Sequence, residues 1–272
     1  MRFAFFGDVV GRSGRQAVSD HLPGLRRQLA LEAVVINAEN AAGGFGITEG
    51  TANQLFDAGA DVLTLGNHSF DQAQALSLID REPRLLRPAN YPPGTPGKGA
   101  NLYDVNGYQL LVVSIHGRVF MDSLDDPFQA AERELGAAPL GEVADAVLVD
   151  MHAEATSEKK AMGYFCDGRA SAVLGSHQHV PTADAMILPG GTAFQTDAGM
   201  CGDYNSVIGM EPDEPVRRFT TRIRSARFEP ATGPGTLCGV FVETGRDGLA
   251  TRIAPIRVGG RLAQSVPDLA AL

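Results

Sequence analysis

The stretch Ala33-Val34-Val35-Ile36-Asn37-Ala38-Glu39-Asn40 joins an unbroken apolar run to a group of polar side chains. The run predicts a strand buried on both faces, because strands that helices cover on both sides are rich in valine and isoleucine. Apolar runs at Arg2 to Phe6 and at Asp61 to Leu65 predict two more such strands. Helical segments separate the three strands, one from about Gly14 to Ala30 and one from Thr48 to about Ala58. This alternation predicts an α/β fold with a sheet covered on both faces.

The later sequence continues this pattern with less regular spacing. Pro23 suits a first helical position, so we expect the first helix to break or restart there. A further helix is predicted to begin near Phe70. Buried strands are predicted at Ala144 to Val149 and at Ala172 to Leu174, and the sequence at about residues 237–255 predicts a hairpin.

The size and composition of the chain indicate one globular domain. The chain has 272 residues, of which 44% are hydrophobic and 20% are charged, and it is long enough to bury a sizeable core. It contains no internal repeat, low-complexity tract or clear linker. We therefore predict a single domain over residues 1–272, with residues of about 199–228 as a candidate peripheral insertion.

Charge and cysteine content restrict the partners and the compartment. The formal net charge is −9 and no Lys/Arg-rich run occurs, so a groove for duplex nucleic acid is not expected. A small phosphorylated substrate remains compatible with this charge if metal ions are bound. The three cysteines are far apart and lack CxxC spacing, which predicts reduced thiols in a cytoplasmic protein. No apolar stretch approaches the roughly 18 residues of a membrane span, and homo-oligomerisation stays open.

Polar side chains follow each predicted strand at the point where the strand ends. These groups are Gly7-Asp8, Asn37-Ala38-Glu39-Asn40, Gly66-Asn67-His68, Asp150-Met151-His152 and Gly175-Ser176-His177-Gln178-His179. In open α/β sheets the crevice beyond the carboxyl ends of the strands is the usual ligand site. We therefore expect two of these carboxylates (Asp8 and Glu39), two of the carboxamides (Asn40 and Asn67) and the four imidazoles to meet at one edge.

The types of these side chains predict a metal site. Oxygen and imidazole ligands without thiolates suit Mn²⁺, iron or Zn²⁺ better than a soft-metal or Fe–S site. One cation needs only about three or four protein ligands. If one imidazole is kept for proton transfer, the remaining ligands fit two cations that share a bridging carboxylate. Such pairs clamp phosphoryl oxygens and activate a water, so the pattern predicts metal-assisted phosphoester hydrolysis.

The order of these motifs resembles the calcineurin-like metallophosphoesterase superfamily. Its first, third, fourth and fifth motifs are matched by Gly7-Asp8, Gly66-Asn67-His68, His152 and His177-Gln178-His179.

Two departures from the usual superfamily motifs narrow the resemblance to one branch. Val10 occupies the place of a usual histidine, and residues 37–40 replace the usual Gly-Asp-x-x-Asp motif. Both departures are shared with the YmdB-like bacterial 2′,3′-cyclic nucleotide phosphodiesterases. The segments at residues 40–48, 117–121 and 197–200 also look similar to that branch, and residues 37–48 are its most specific element.

This resemblance implies a fold, a reaction and a ligand set. The implied fold is a four-layer α/β/β/α sandwich, with two mixed sheets flanked by helices, and the implied substrates are small phosphodiesters such as 2′,3′-cyclic AMP. The first metal is implied to be held by Asp8, Glu39, Asn40 and His179. Glu39 bridges to the second metal, which Asn67, His152 and His177 complete.

His68 is implied to stay unliganded and to act as the general acid, because its neighbour Asn67 would place the imidazole beside the leaving oxygen. A carboxamide at Asn40 in place of an imidazole makes the first site harder, which favours iron or Mn²⁺, with Zn²⁺ as a third candidate.

The sequence leaves open alternative functions for the chain and alternative roles for several residues. The same metal pair would serve a phosphomonoesterase such as a nucleotidase, and a metal-stabilised regulatory or scaffolding protein is the alternative from another class. Asp8 could cap the following helix, and Asn37 is a better candidate for strand-end hydrogen bonding than for metal binding. His116 fits a buried packing residue, and Arg118 is a candidate phosphate contact or a surface charge.

Overall fold

The structure, a computed structural model, describes residues 1–269. Within that range the strands are, in chain order, β1 (Arg2–Phe6), β2 (Asp8–Val9), β3 (Ala33–Asn37), β4 (Val62–Thr64), β5 (Leu85–Leu86), β6 (Ala100–Val105), β7 (Tyr108–His116), β8 (Ala146–His152), β9 (Ala172–Ser176), β10 (Met186–Ile187), β11 (Ala193–Gln195), β12 (Met200–Cys201), β13 (Thr236–Thr244) and β14 (Ala250–Gly259). The helices are α1 (Gly11–Gln28), α2 (Glu49–Asp57), α3 (Ala75–Arg81), α4 (Pro127–Ala137), α5 (Thr156–Phe165) and α6 (Asp213–Thr221).

The long strands form two mixed sheets. The first has the order β14-β13-β1-β3-β4-β5, in which β1, β3, β4 and β5 are parallel and the β13–β14 hairpin is antiparallel. The second has the order β10-β11-β9-β8-β7-β6, with parallel central strands and an antiparallel strand at each edge. The α/β class and the predicted hairpin are therefore confirmed.

Successive side chains of each strand point to opposite faces of its sheet, and the two sheets and their helices therefore form four layers. In β1, Ala4 and Phe6 pack in a core that includes residues of α1, α2 and α3, whereas Phe3 and Phe5 pack in a different core. That second core lies between the sheets and includes Val112 of the second sheet. The opposite face of the second sheet packs on α4 and α5. Because successive strand residues point to opposite faces, each apolar strand covers two cores. The predicted α/β/β/α sandwich is confirmed.

Strand β8 is longer than predicted and carries two polar site residues inside the sheet. The predicted strand stops at Val149, but the pairing with β7 continues through Asp150 to His152. Both side chains are fully buried. The apolar pattern stops at Val149, but the backbone pairing with β7 continues for three more residues. The end of β8 could therefore not be predicted from the sequence pattern.

Two predicted helix boundaries are wrong. Helix α1 is continuous across Pro23, because Leu22, Leu25 and Leu29 on both sides of the proline are buried in the core. Tertiary packing outweighs the lost backbone hydrogen bond there.

The helix predicted to begin near Phe70 instead begins at Ala75. Side-chain contacts hold the preceding residues in turns: Gln72 donates to the carbonyl of Phe45, and His68 contacts Asp71. Such local side-chain bonds compete with helix formation.

The segment proposed as a peripheral insertion begins with a contact to the candidate site. Met200 and Cys201 in β12 pair in parallel with Asp8 and Val9 in β2, and α6 follows. The division of the chain into a domain and an insertion stays a prediction.

Residues 1–269 contain no helix that combines the length and the apolar composition of a membrane crossing. Cys166, Cys201 and Cys238 are free and buried. Cytoplasmic location stays a prediction.

Candidate metal centre

Nε2 of His152 lies close to three other donor atoms, which come from Glu39, Asn67 and His177. His152 Nε2 lies 3.1 Å from Glu39 Oε1, 2.9 Å from Asn67 Oδ1 and 3.2 Å from His177 Nδ1. Glu39, His152 and His177 each offer a ligand atom within 4.8 Å of the others. A cation is the natural partner for so many closely spaced lone pairs.

A second set of donor atoms comes from Asp8, Asn40 and His179. His179 Nε2 is 3.2 Å from Asn40 Oδ1 and 3.8 Å from Asp8 Oδ1. The same Asp8 oxygen is 3.8 Å from His152 Nδ1. The structure therefore brings all seven predicted ligand side chains into two adjoining groups.

One oxygen in this region lacks a protein partner. Asp8 is fully buried, and its Oδ2 accepts a hydrogen bond from the backbone N–H of His177 at 3.0 Å. Its Oδ1 has no hydrogen-bond partner among residues 1–269. A buried carboxylate oxygen left unpaired costs free energy, so such an atom indicates a site for a positive partner. The donor set and the orphaned oxygen both fit bound metal ions.

The pKa values of the buried carboxylates Asp8 and Glu39 are shifted in opposite directions. Burial raises the pKa of Asp8 to about 6, although His179 and His152 oppose the shift. Burial also acts to raise the pKa of Glu39, but the charge and hydrogen bond of His152 outweigh it and lower that pKa to about 2. Burial and then His152 lower the pKa of His177 to about 3. His177 is therefore neutral at physiological pH, which is the metal-binding form of imidazole.

Two histidines are oriented through their other ring nitrogen. His179 Nδ1 lies 2.7 Å from the carbonyl oxygen of Ile208, and His152 Nδ1 lies 2.9 Å from Ser176 Oγ. Ser176 in turn donates to Asp150 Oδ1 at 2.6 Å, and Asn37 donates to Asp150 Oδ2 at 3.1 Å. These contacts fix the rings and leave each Nε2 toward the centre. Asn37 thus acts in this outer network.

The backbone explains how two histidines that are two residues apart reach one centre. His177 and His179 have φ angles of +93° and +66°, in the region that non-glycine residues seldom adopt. In an extended strand their side chains would point to opposite faces. The left-handed backbone turns both rings inward, and clusters of such outliers are typical of functional sites.

A glycine makes room for the ligands at the end of β4. A Cβ atom on Gly66 would overlap the ring of His152 and the carboxylate of Glu39. The glycine in Gly66-Asn67-His68 is therefore required by the close approach of the backbone to the site.

His68 lies at the rim of the site with a carboxylate partner. Its side chain is 27% exposed, its Nδ1 is 2.7 Å from Asp71 Oδ2, and its backbone N–H donates to Glu39 Oε2 at 3.0 Å. Asp71 fixes the orientation of the imidazole, and Nε2 has no hydrogen-bond partner among residues 1–269. Sequence reasoning missed Asp71, although the His-x-x-Asp spacing was visible.

A cavity of about 640 Å³ opens beside the donor atoms. Its polar lining includes Glu39, Asn40, His68, His177 and His179. Its apolar wall is formed by Phe45, Val180, Val207, Ile208, Met210, Pro215, Phe219 and Phe228. The sequence did not predict this apolar wall, because its residues are scattered over several loops and helix α6 without a shared periodic pattern.

A family model described as YmdB-like protein matches residues 4–256 of the chain. This protein belongs to the YmdB-like family. The branch that the motifs resemble is therefore confirmed.

Relatives of this YmdB-like protein support the assignment over nearly the whole chain. It is 46% identical over 243 residues to the 2′,3′-cyclic-nucleotide 2′-phosphodiesterase of Bacillus subtilis, covering 89% of this chain and 91% of the relative. The crystal structure of a hypothetical protein from Thermus thermophilus has a TM-score of 0.89 at 45% identity, covering 96% of this chain and 100% of that one. A structure described as a novel phosphatase from Mycoplasma pneumoniae has a TM-score of 0.89 at 31% identity, covering 95% and 93%.

Two further polar residues of this YmdB-like protein lie outside the donor set. Arg118 pairs with Asp126 at 2.8 Å and does not line the cavity beside the donor atoms. The His116 ring is buried 6.1 Å from the ring of His152, and burial followed by His152 lowers its pKa to about 4. His116 therefore packs near His152 as a neutral ring.

Proposed function

We propose that this protein is a metal-dependent phosphodiesterase that cleaves small phosphodiesters, with 2′,3′-cyclic nucleotides as the substrate class. One observation carries the proposal: Asp8 Oδ1, without a partner in the described chain, faces His152 and His179 where a cation would satisfy it. The activity named for the Bacillus subtilis relative supports the substrate class.

We assign the donor atoms to two ions. Asp8, Glu39, Asn40 and His179 would hold the first, and Asn67, His152 and His177 would hold the second, with Glu39 as the bridge. When bound, the ions would supply Lewis-acid stabilisation of the phosphoryl oxygens and activate a water for attack. The amide oxygen of Asn40 beside His179 favours iron or Mn²⁺ over Zn²⁺ at the first position.

The chain itself supplies the proton for the leaving oxygen. In this proposal His68 Nε2 faces the substrate and protonates the departing alkoxide, and imidazole is the side chain most often used for that task. Asp71 Oδ2 lies 2.7 Å from the other ring nitrogen and holds the ring in position. His68 contributes no ligand atom, because its backbone N–H rather than its ring contacts Glu39.

The test combines metal analysis with a comparison of substrates. Protein purified without chelator is analysed for iron, manganese and zinc, and then assayed with Mn²⁺ on 2′,3′-cyclic AMP, bis-p-nitrophenyl phosphate and p-nitrophenyl phosphate. We expect close to two metal ions per chain and turnover of both diesters above that of the monoester. Preference for p-nitrophenyl phosphate would instead identify a phosphomonoesterase.

An Asp8→Asn variant separates catalysis from a scaffolding role. If turnover matters, the variant loses both activity and any cellular phenotype of the wild type. A variant that folds, lacks metal and retains the phenotype would support the regulatory alternative.

A further inference from the structure

The cavity beside the donor atoms is lined by two kinds of side chain. One kind is the set of proposed metal ligands, and the other is apolar and comes mostly from the segment that follows β12, through Ile208, Met210, Phe219 and Phe228. The cavity volume of about 640 Å³ lies within the range of small-ligand sites, roughly 300–1,000 Å³. A substrate that fills it would place a phosphate at the donor side chains and an apolar group against the apolar side chains.

Direct contacts join the apolar wall to the polar side chains of the cavity. The carbonyl oxygen of Ile208 lies 2.7 Å from Nδ1 of His179, so the apolar segment is fixed to a proposed ligand. The ring of Phe45 meets the ring of His68 edge-on, with 5.1 Å between centroids. These two contacts fix the apolar wall relative to the proposed ligands and the proposed acid.

Phe219 is left open on the apolar wall. Its side chain is 77% exposed, and it has no ring or cation partner in the described part of the chain. Phe228 on the same wall differs, because the guanidinium of Arg218 covers its ring at 3.8 Å. A large aromatic ring presented to a cavity is suited to stacking on a flat group.

Charge restricts what that flat group can carry. No lysine or arginine in residues 1–269 lines the cavity, and Glu154 is its charged side chain outside the proposed ligands and His68. Glu154 Oε2 lies 3.3 Å from His177 Nε2, so this carboxylate is on the donor side of the cavity. A second phosphate against the apolar side chains would meet no positive side chain from residues 1–269. The occupant of the apolar wall is therefore neutral.

We propose that the apolar wall binds the base of a nucleotide that carries a single phosphate, with Phe219 stacked on the base. This inference rests on the proposed function of the same site, and it adds the determinant of substrate choice. The enzyme selects nucleoside cyclic monophosphates over phosphodiesters that lack a base and over nucleotides with an additional phosphate.

The first test compares a substrate with a base to one without. Phe219→Ala is assayed on 2′,3′-cyclic AMP and on glycerol 1,2-cyclic phosphate. Base–aromatic stacking is worth roughly 5- to 150-fold in affinity, so we expect the KM for 2′,3′-cyclic AMP to rise in that range with kcat retained. The kinetic constants for the glycerol ester should not change.

Val216→Ala is the matched control, because Val216 is an exposed apolar residue of the same helix that does not line the cavity. Equal changes for both substrates in Phe219→Ala, or no change for either, would overturn the assignment. Adding a 5′-phosphate to 2′,3′-cyclic AMP should weaken binding to the wild type, and tighter binding would also contradict it.

The second test does not depend on turnover. The sequence contains no tryptophan, so Phe219→Trp introduces a single fluorophore that can still stack on a base. Adenosine 3′-monophosphate should quench this fluorescence, whereas inorganic phosphate should not, and Val216→Trp should respond to neither. Absence of quenching by the nucleotide overturns the base site.

The two tests separate the failure of this inference from failure of the proposed function. A protein that cleaves no phosphodiester but shows nucleotide quenching retains the base site and loses the phosphodiesterase assignment. A protein that cleaves both esters without quenching retains the activity and loses the base site.

Discussion

This protein contains two neighbouring buried groups of charged side chains. They differ in whether their polar atoms have hydrogen-bond partners. In the donor cluster, Asp8 Oδ1 has no hydrogen-bond partner within residues 1–269. In the second group, fully buried Lys159 Nζ lies 2.8 Å from Asp197 Oδ2 and 3.1 Å from Gln178 Oε1. The other carboxylate oxygen of Asp197 accepts the backbone N–H of Gly199 at 2.8 Å.

The contrast distinguishes a ligand site from its support. The Lys159–Asp197 pair is complete without any added group, and Asp197 also accepts the backbone N–H of Gln178 at 3.0 Å. Gln178 lies between His177 and His179, whose left-handed backbone carries both rings. The satisfied pair therefore holds the strained loop, whereas the unsatisfied cluster is suited to a cation.

The largest effect is expected from removing the charge of Glu39 in the donor cluster. Glu39→Gln keeps the size of the side chain but removes the proposed bridging carboxylate. We expect the metal content to fall and phosphodiesterase activity to drop to background, because both proposed ions lose a ligand. Elemental analysis and turnover of 2′,3′-cyclic AMP provide the measurement. Glu243→Gln, in a surface pair with Arg2, is the control and should keep both. Full metal content in Glu39→Gln would contradict the bridging role.

A smaller effect is expected at the rim of the same cluster. His68→Ala should lower kcat by roughly 10²–10⁴-fold, the range typical of a general acid, while metal content stays at the wild-type level. Nδ1 of His68 contacts Asp71, and the ring is not one of the proposed ligands, so metal binding is expected to continue without it. Loss of metal together with activity would show that the imidazole is a ligand. Metal analysis and kcat measured on one preparation decide between the roles.

The difference between the two groups also explains what the sequence could predict. The strand ends of β1, β3, β4 and β9 were visible because apolar runs stop at polar residues, and the donor side chains follow directly. Lys159 gave no such indication, because a lysine in a helix normally points to solvent. Its burial depends on Asp197, which lies 38 residues away in sequence. The apolar wall was hidden for the same reason, since its residues come together only through the fold.

The supporting pair should show its effect in stability. Lys159→Met removes the cation and leaves Asp197 buried and unpaired, which typically costs about 3–5 kcal/mol. We expect the free energy of unfolding in urea to fall by that amount with metals removed by chelator, because the pair acts without them. The double variant Lys159→Met with Asp197→Leu should recover part of the loss, since it removes the uncompensated charge. Unchanged stability of Lys159→Met would refute the supporting role.

The smallest effect is expected from the neighbouring residue Lys160, which tests whether burial rather than charge sets the energy. Lys160 Nζ lies 3.6 Å from Asp184 Oδ2, and the two side chains are 37% and 33% exposed. Solvent screens such a pair, so Lys160→Met should change the free energy of unfolding by about 1 kcal/mol or less. The same lysine-to-methionine change one position along the helix would then differ several-fold in effect. Lys159→Met and Lys160→Met could instead lower the free energy of unfolding by the same amount in the same urea titrations. Helix α5 would then respond to loss of charge in general, and the buried Lys159–Asp197 pair would have no special part in holding the loop of His177 and His179.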